Sequence, residues 1–491
     1  MSAKKNILAS YLYIILNIFT NLIVVRMTVG HYGERIYAFV VLSFSFITYV
    51  ETFNLGTFLS NRTQIPMRGE NASVYTVATI KKLFLFILLL LFIWVTFYTF
   101  LSDEFIQFIS TETDPKILKI GKNLINMAVL YGLIKIPLSV VLSAFAGHDR
   151  VDIEKKYNGL QQLIKFFALL VTINLGLSVE IYFMTFTLIG ILLLVYANIH
   201  YYKVHIAKKA KKYFRYSKKI SSSYITKKSM KFYIMALASV VVWSTDNLVV
   251  SIFFTPKLVT DYSINFAIYN AGFLFITAIG GALIANYGNL IRDKQFVVLN
   301  QRINLSIYST FIIAGCISFG GVLFAEDIIR FWVGSGHHIS SKLLIAFGLF
   351  GMTIGISSVM NTILSLFART KTLVLMAISE ALLNILLSIG LLHLVGVEGI
   401  AYATGISAFI TMVLPGIYLL NKAFNQQLKI RLRAIFIQLL LFSIFTFFSY
   451  ESLSSFWLKV VVFLFYAFCI VISTFFTNRK VLLTYFELLK R

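Results

Sequence analysis

Apolar residues run along this chain in blocks of about twenty, separated by short polar turns. A membrane-spanning helix needs about 20 mostly apolar residues, because at 1.5 Å per residue that length crosses a hydrocarbon core of roughly 30 Å. The blocks predict spans at Ile7–Val29, Ile36–Phe58, Leu83–Leu101, Asn123–Phe145, Leu160–Leu177 and Val179–His200. After a basic stretch they resume at Phe232–Phe254, Ile264–Tyr287, Ile303–Phe324, Leu343–Phe367, Thr372–Leu394 and Gly399–Leu420, and close with Ala434–Tyr450 and Phe456–Phe476. The expected class is an all-α polytopic membrane protein of about fourteen transmembrane helices. The fifth and sixth segments are nearly fused and the thirteenth is short, so twelve is the other possible count.

Composition agrees with a lipid-covered surface. Of 491 residues 58% are hydrophobic and 13% charged, where a soluble protein carries about 25% charged residues. The formal charge of +24 raises a nucleic-acid partner, but the placement of the charges excludes it. With both termini inside, only Arg35, Lys116, Lys119, Lys122, Lys257, Arg330 and Lys342 fall in outer loops, out of 44 lysines and arginines. Four more lie within spans, and all the rest are on the inner side. Such a bias is the ordinary topogenic one and predicts cytoplasmic termini. The stretch from Tyr201 to the span at Phe232 holds the densest runs, such as Lys208-Lys209-Ala210-Lys211-Lys212. It reads as a solvated topology determinant or as a segment lying on anionic lipid. Cys316 and Cys469 sit inside apolar runs and imply neither a disulfide framework nor a metal cluster.

The same stretch divides an internal repeat. Asn21-Leu22-Ile23-Val24-Val25 returns as Asn247-Leu248-Val249-Val250, Glu104-Phe105-Ile106 as Asp327-Ile328-Ile329, and Leu142-Ser143-Ala144-Phe145-Ala146 as Leu364-Ser365-Leu366-Phe367-Ala368. Each match falls at the corresponding place in its half, with the same orientation. The reading is two six-helix lobes, 1–202 and 231–421, joined by a basic cytoplasmic loop at 203–230 and followed by a terminal helix pair and tail at 422–491. Parallel repeats of this kind are a common transporter architecture.

Three short motifs carry a resemblance. Gly30-His31-Tyr32-Gly33 after the first span, Phe331-Trp332-Val333-Gly334 before the tenth, and Gly396-Val397-Glu398-Gly399-Ile400-Ala401 at the twelfth resemble turns of polysaccharide exporters. On these residues the chain resembles the multidrug/oligosaccharidyl-lipid/polysaccharide exporter superfamily, in its Wzx-type flippase branch. One departure is Ala285-Asn286-Tyr287-Gly288, which stands where such proteins often carry a proline. The resemblance implies a bacterial inner-membrane protein that moves undecaprenyl-diphosphate-linked oligosaccharide, such as an O-antigen unit, to the outer leaflet. It implies a proton or sodium ion as coupling partner, the lipid bilayer as surroundings, and a polysaccharide polymerase and chain-length regulator as neighbours in the same synthesis. No cofactor is expected.

Ionisable residues inside spans are functional candidates by default, because a charge near the bilayer centre costs about 2.5–3.5 kcal/mol on insertion scales. Lys135 lies too deep to snorkel fully, and Pro137 two residues on should free backbone groups that a water-lined cavity would satisfy. Glu51 is its expected partner, at a depth about 5 Å different by helix rise. Arg26 and Lys165 lie nearer span ends and complete the candidate diphosphate and sugar set, although snorkelling also accounts for them. Asn17 and Asn21 share a face and read as interhelical hydrogen-bonding groups. Lys459 reads as an interfacial anchor. Asp246 and Glu380, deep in the seventh and eleventh spans, are candidates for ion coupling, with structural hydrogen bonding as the alternative.

Enzyme chemistry finds no support. There is no H-E-x-x-H, no G-x-S-x-G and no phosphate-binding glycine loop, and His337-His338 has the wrong spacing for one helix face. A membrane-embedded polymerase or ligase for the same sugars is the rival from another class. A multidrug exporter or a lipid II flippase is the rival within transport.

Overall fold

A computed structural model describes residues 2–65, 72–207, 222–292, 295–334, 337, 340–366, 370–423, 432–449 and 455–489. The basic runs at 208–221, His338 and Phe367 to Arg369 lie outside them. The described chain is helical throughout, and helix occupies the place of every predicted span. Eleven described helices are long and apolar enough by length and composition to cross a membrane. Contacts divide the chain into two units, Met1–Ser263 and Ile264–Arg491.

The first unit contains α1 (Ser2–Tyr32), α2 (Glu34–Glu51), α3 (Thr57–Gln64), α4 (Ala72–Ile109), α5 (Pro115–Gly147), α6 (Val151–Asn174), α7 (Val179–Tyr201) and α8 (Ser222–Phe253), and the first residues of α9 (Pro256–Arg292). Helix α5 starts with Asp114 accepting the Lys116 amide at 2.9 Å and Pro115 in the first turn, where its missing N–H costs nothing. It is the central helix of the unit, with Leu124, Ala128, Val140, Ala144 and Phe145 essentially inaccessible. Helices α2, α4 and α7 pack around it. Long side chains such as Leu85, Phe92 and Leu192 remain exposed on the outer faces, as lipid-facing positions should.

One predicted span is not a single helix. The segment Ile36–Phe58 stops as α-helix at Glu51, turns through a 3₁₀ segment at Thr52–Asn54, and passes Leu55 (φ 54°) and Gly56 (φ 69°) before α3 begins. Thr52 Oγ1 donates to the Tyr49 carbonyl at 2.6 Å, Asn54 Nδ2 to that of Glu51 at 2.5 Å, and Thr57 Oγ1 to that of Asn54 at 2.7 Å. These side chains satisfy carbonyls that the lost helical turn would leave bare, which is the condition for irregular backbone at membrane depth.

Opposite the N-terminus, the turn between α4 and α5 is tied to α2. Arg35 donates through Nε to Glu112 Oε2 at 2.8 Å and through Nη2 to Oε1, while the amides of Thr113 and Asp114 donate to Oε1 at 2.8 and 2.9 Å. The Arg35 hydrogen bonds, with help from those amides, hold the Glu112 carboxyl below its ordinary range. A depressed folded value stabilises fully above the ordinary value of 4.5, and that stabilisation is lost as pH falls through the depressed value. The thermal midpoint of the detergent-solubilised protein should therefore fall on acidification below about pH 4.5. In Arg35→Gln that part of the slope should shrink, the two amides still acting; an unchanged slope would assign it to other carboxylates.

The second unit holds the rest of α9, then α10 (Phe296–Trp332), α11 (Ser341–Leu366), α12 (Thr370–Val395), α13 (Glu398–Ala408), α14 (Leu414–Ala423), α15 (Leu432–Ser449) and α16 (Phe456–Leu489). The twelfth predicted span is interrupted by a π-helical turn, Phe409–Val413. Pro415 follows it and has no N–H to return to the Thr411 carbonyl, so the ladder widens there. The terminal pair packs on α10 and α11 through Phe319, Met352, Phe442, Tyr466 and Ile470. Lys459, expected to snorkel, pairs instead with Asp327 at 2.5 Å.

Candidate functional site

The break after α2 opens one wall of a polar cavity inside the first unit. Its volume is about 300 Å³, and it is lined by Glu51, Arg62, Lys135, Ser139, Ser143, Glu154 and Asn158 with Phe58 and Leu142. Lys135 Nζ lies 2.6 Å from Glu51 Oε1, so the pair expected from depth alone is formed. The two side chains are 22% and 32% accessible, opening on the cavity rather than lying in a dry core. Glu51 is also the last residue of α2, and a cation beside a helix C-terminus is favoured by the partial negative charge of its free carbonyls. Pro137 sits one turn below the level where Leu133 would otherwise receive its amide bond, as the sequence implied.

A second ion pair, Arg62 with Glu154, closes the other side of the cavity. Arg62 comes from α3 and Glu154 from α6. Glu154 Oε2 and Ser139 Oγ are buried without hydrogen-bond partners among the described residues, as is Asn61 Oδ1 just behind, whose amide donates to Ser143 Oγ at 3.1 Å. Unsatisfied buried polar atoms cost about 1–3 kcal/mol each, so this wall of the cavity is polar at a cost to stability. Two lysine or arginine charges face two carboxylates, so the lining is charge-balanced rather than basic.

Arg26 and Lys165 do not line this cavity. Arg26 is exposed near the end of α1. Lys165 on α6 donates to Asn21 Oδ1 at 3.1 Å and lies 3.9 Å over the Phe44 ring. Asn21 in turn donates to Asn17 Oδ1 at 2.9 Å. Asn21 thus joins α1 to α6, the interhelical bond expected of it, while Asn17 bonds to Asn21 along α1. Lys165 makes no ion pair with a carboxylate among the described residues. A cation so placed is held by an amide and a ring face.

Asp246, on α8 of the first unit, is buried and accepts a hydrogen bond from the Tyr262 hydroxyl at 2.9 Å. Glu380, on α12 of the second, is buried with no hydrogen-bond or ion-pair partner among the described residues. One turn on, Asn384 donates to Thr404 Oγ1 at 2.8 Å. Glu380, Asn384 and Ser388 lie four apart on one buried face, and Thr404, Ser407 and Thr411 form a buried polar row on the neighbouring α13 and its π turn. Sequence reading found Glu380 but not this seam, since isolated Asn, Ser and Thr are common in membrane helices. Arg62 and Glu154 were missed because they stand beyond span ends and count as loop charges.

No known protein family and no curated protein matches the chain by sequence. Solved structures do match. The lipid II flippase MurJ in an inward closed conformation aligns over 97% of this chain and 99% of its own at 18% identity, with a TM-score of 0.70. An inward-facing MATE-family multidrug resistance transporter of the MOP superfamily covers 86% and 99% at 12% identity, TM-score 0.66. The MATE multidrug transporter DinF-BH covers 88% and 97% at 13% identity, TM-score 0.63. The chain has their fold. The all-helical membrane fold expected from hydropathy and the motifs is thereby met, and these neighbours are a flippase and transporters rather than enzymes.

Proposed function

We propose that the protein is a flippase of the bacterial cytoplasmic membrane, translocating undecaprenyl-diphosphate-linked oligosaccharide to the outer leaflet by alternating access coupled to an ion gradient. The observation that carries this reading is the polar, charge-balanced cavity built around a broken membrane helix. Carboxylates, a guanidinium, an ammonium and hydroxyls in one small space suit the many donors and acceptors of a sugar. Lys165, whose charge no described carboxylate offsets, suits a diphosphate. Flat cationic drugs would find no excess negative charge in this cavity, which disfavours a multidrug exporter. Lipid II shares the polyprenyl diphosphate and saccharide chemistry, and the similarity to MurJ keeps it as the second reading.

Depletion of the protein followed by analysis of lipid-linked intermediates tests the proposal. Oligosaccharide-lipid accumulating on the inner leaflet supports it, and accumulation of lipid II there selects the second reading. Single units accumulating on the outer leaflet would indicate a polymerase, and drug hypersensitivity alone an exporter.

For coupling, Glu380 is the stronger candidate, since Asp246 is already engaged by Tyr262. Glu380→Gln should lower gradient-driven transport at least about tenfold at unchanged protein level, the order expected when a carboxylate that must change protonation or bind a cation is fixed neutral. Asp246→Asn should cost less. Equal, wild-type transport in Glu380→Gln would remove it from the coupling site.

A further inference from the structure

A separate groove of about 720 Å³ runs along the first unit, between α1, α6 and α7. Its apolar part is formed by Leu8, Leu12, Leu160, Leu193 and Tyr196, of which Leu8, Leu12 and Tyr196 are about 60% exposed. Such a surface faces acyl chains in a bilayer. Its other end, beside the N-terminus, gathers Lys5, Arg150, Lys156, His200 and His205 around Asp152.

That end is constructed rather than diffuse. Lys5 Nζ lies 3.0 Å from Asp152 Oδ2, and Arg150 donates to Oδ1 and Oδ2 at 3.0 and 3.2 Å. The Asp152 amide donates to Asn6 Oδ1 at 3.0 Å. Arg150, and then Lys5, holds the Asp152 carboxyl down to about 2, so it stays ionised beside both cations at the rim. Asp152 offsets one of their two charges, and Asp149, accepting from Asn6 at 3.1 Å, lies beside the rim. Exposed Lys156 adds another cation, and the His200 ring is positioned by a 2.9 Å hydrogen bond between Nδ1 and the Tyr157 hydroxyl. The groove therefore couples a cationic rim to an apolar trough open to lipid.

We propose that this groove binds one anionic phospholipid, its phosphodiester at Lys5, Arg150 and Lys156 and an acyl chain between Leu12 and Tyr196. Basic pockets between membrane helices are the surfaces that recognise anionic headgroups. Away from the rim the lining is apolar apart from two tyrosines, Tyr157 and Tyr196, which leaves little to hold a sugar. That distinguishes this groove from the polar, charge-balanced cavity proposed for substrate. The inference does not depend on which saccharide the protein moves.

Native mass spectrometry of the full chain released from detergent tests it, with dioleoylphosphatidylglycerol and dioleoylphosphatidylcholine as probes. One phosphatidylglycerol should be retained in preference to phosphatidylcholine. The double variant Lys5→Gln with Lys156→Gln should weaken its retention roughly thirtyfold, while Lys203→Gln, an exposed lysine outside the groove, should leave it unchanged. Equal retention of phosphatidylcholine, or equal weakening by Lys203→Gln, would overturn the site. Undecaprenyl diphosphate displacing the lipid at a lower concentration than phosphatidylglycerol itself would reassign the groove to the substrate. Displacement by inorganic phosphate alone would reduce it to a plain anion site. Should the double variant not fold, a phosphatidylglycerol with a photoreactive acyl chain on the unaltered protein should label the peptides containing Leu12 and Tyr196; labelling confined elsewhere rejects the proposal.

Discussion

Lys135→Ala is expected to lower both the amount of folded protein and its transport, while Lys135→Met combined with Glu51→Leu restores the amount and not the transport. Removing one partner of a buried ion pair leaves the other uncompensated, at a cost of about 3–5 kcal/mol. Here the lower end applies, because both side chains open on the cavity at 22% and 32% accessibility. Replacing both by apolar groups of similar length removes that penalty and is often close to neutral. The two variants therefore separate structure from function. Fluorescence-detected size-exclusion chromatography reports folded protein, and complementation of a deletion strain reports transport. If the double variant transports normally, the pair is structural and the cavity reading loses its central residues.

The second large effect concerns Gly56. Its φ of 69° is strained for any residue with a Cβ, and a Cβ there would lie 2.4 Å from the Ser229 carbonyl oxygen and 2.5 Å from the Tyr233 amide nitrogen on α8. Backbone cannot yield as a flexible side chain does. A left-handed alanine costs about 1–2 kcal/mol, and overpacking adds about 1–3 kcal/mol. Gly56→Ala should thus destabilise by about 3 kcal/mol or more. Gly176→Ala, with φ 64° in the turn after α6 and open space around the position, should carry only the backbone part. Thermal midpoints of the two purified variants check this, and equal shifts would mean that α8 does not press on the break.

These two sites differ in how far sequence alone reaches them. Helix rise fixes the depth of a residue in its span, so the meeting of Lys135 and Glu51 followed from counting residues. The break beside Glu51 did not, because Asn54-Leu55-Gly56 interrupts the apolar block too briefly to register as a helix end. Its geometry is imposed by the approach of α8, a contact more than 170 positions away in sequence. Arg62 followed the same fate: once α3 is a separate helix, a residue counted with the loop charges turns toward Glu154. The fold was more legible, because bilayer thickness sets segment length and the charge bias orders the ends. The π turn at Phe409–Val413 escaped notice although Pro415 marks it, since a span with one proline still reads as a span by hydropathy. Lys165 and Asn21 lie 144 positions apart and were individually noted, but no periodicity on one helix can pair residues on two.

The most direct test of the proposed function is translocation by the purified protein. The full chain would be reconstituted in liposomes holding an undecaprenyl-diphosphate oligosaccharide with a fluorescent sugar, under an imposed proton or sodium gradient. Loss of the inner-leaflet label's protection from a membrane-impermeant quencher reports its movement across the bilayer. Gradient-dependent movement, abolished in the Lys135→Met, Glu51→Leu protein but present in Lys203→Gln, is the predicted result. Label that stays protected with the unaltered protein, under either gradient and with lipid II in place of the oligosaccharide lipid, would contradict it.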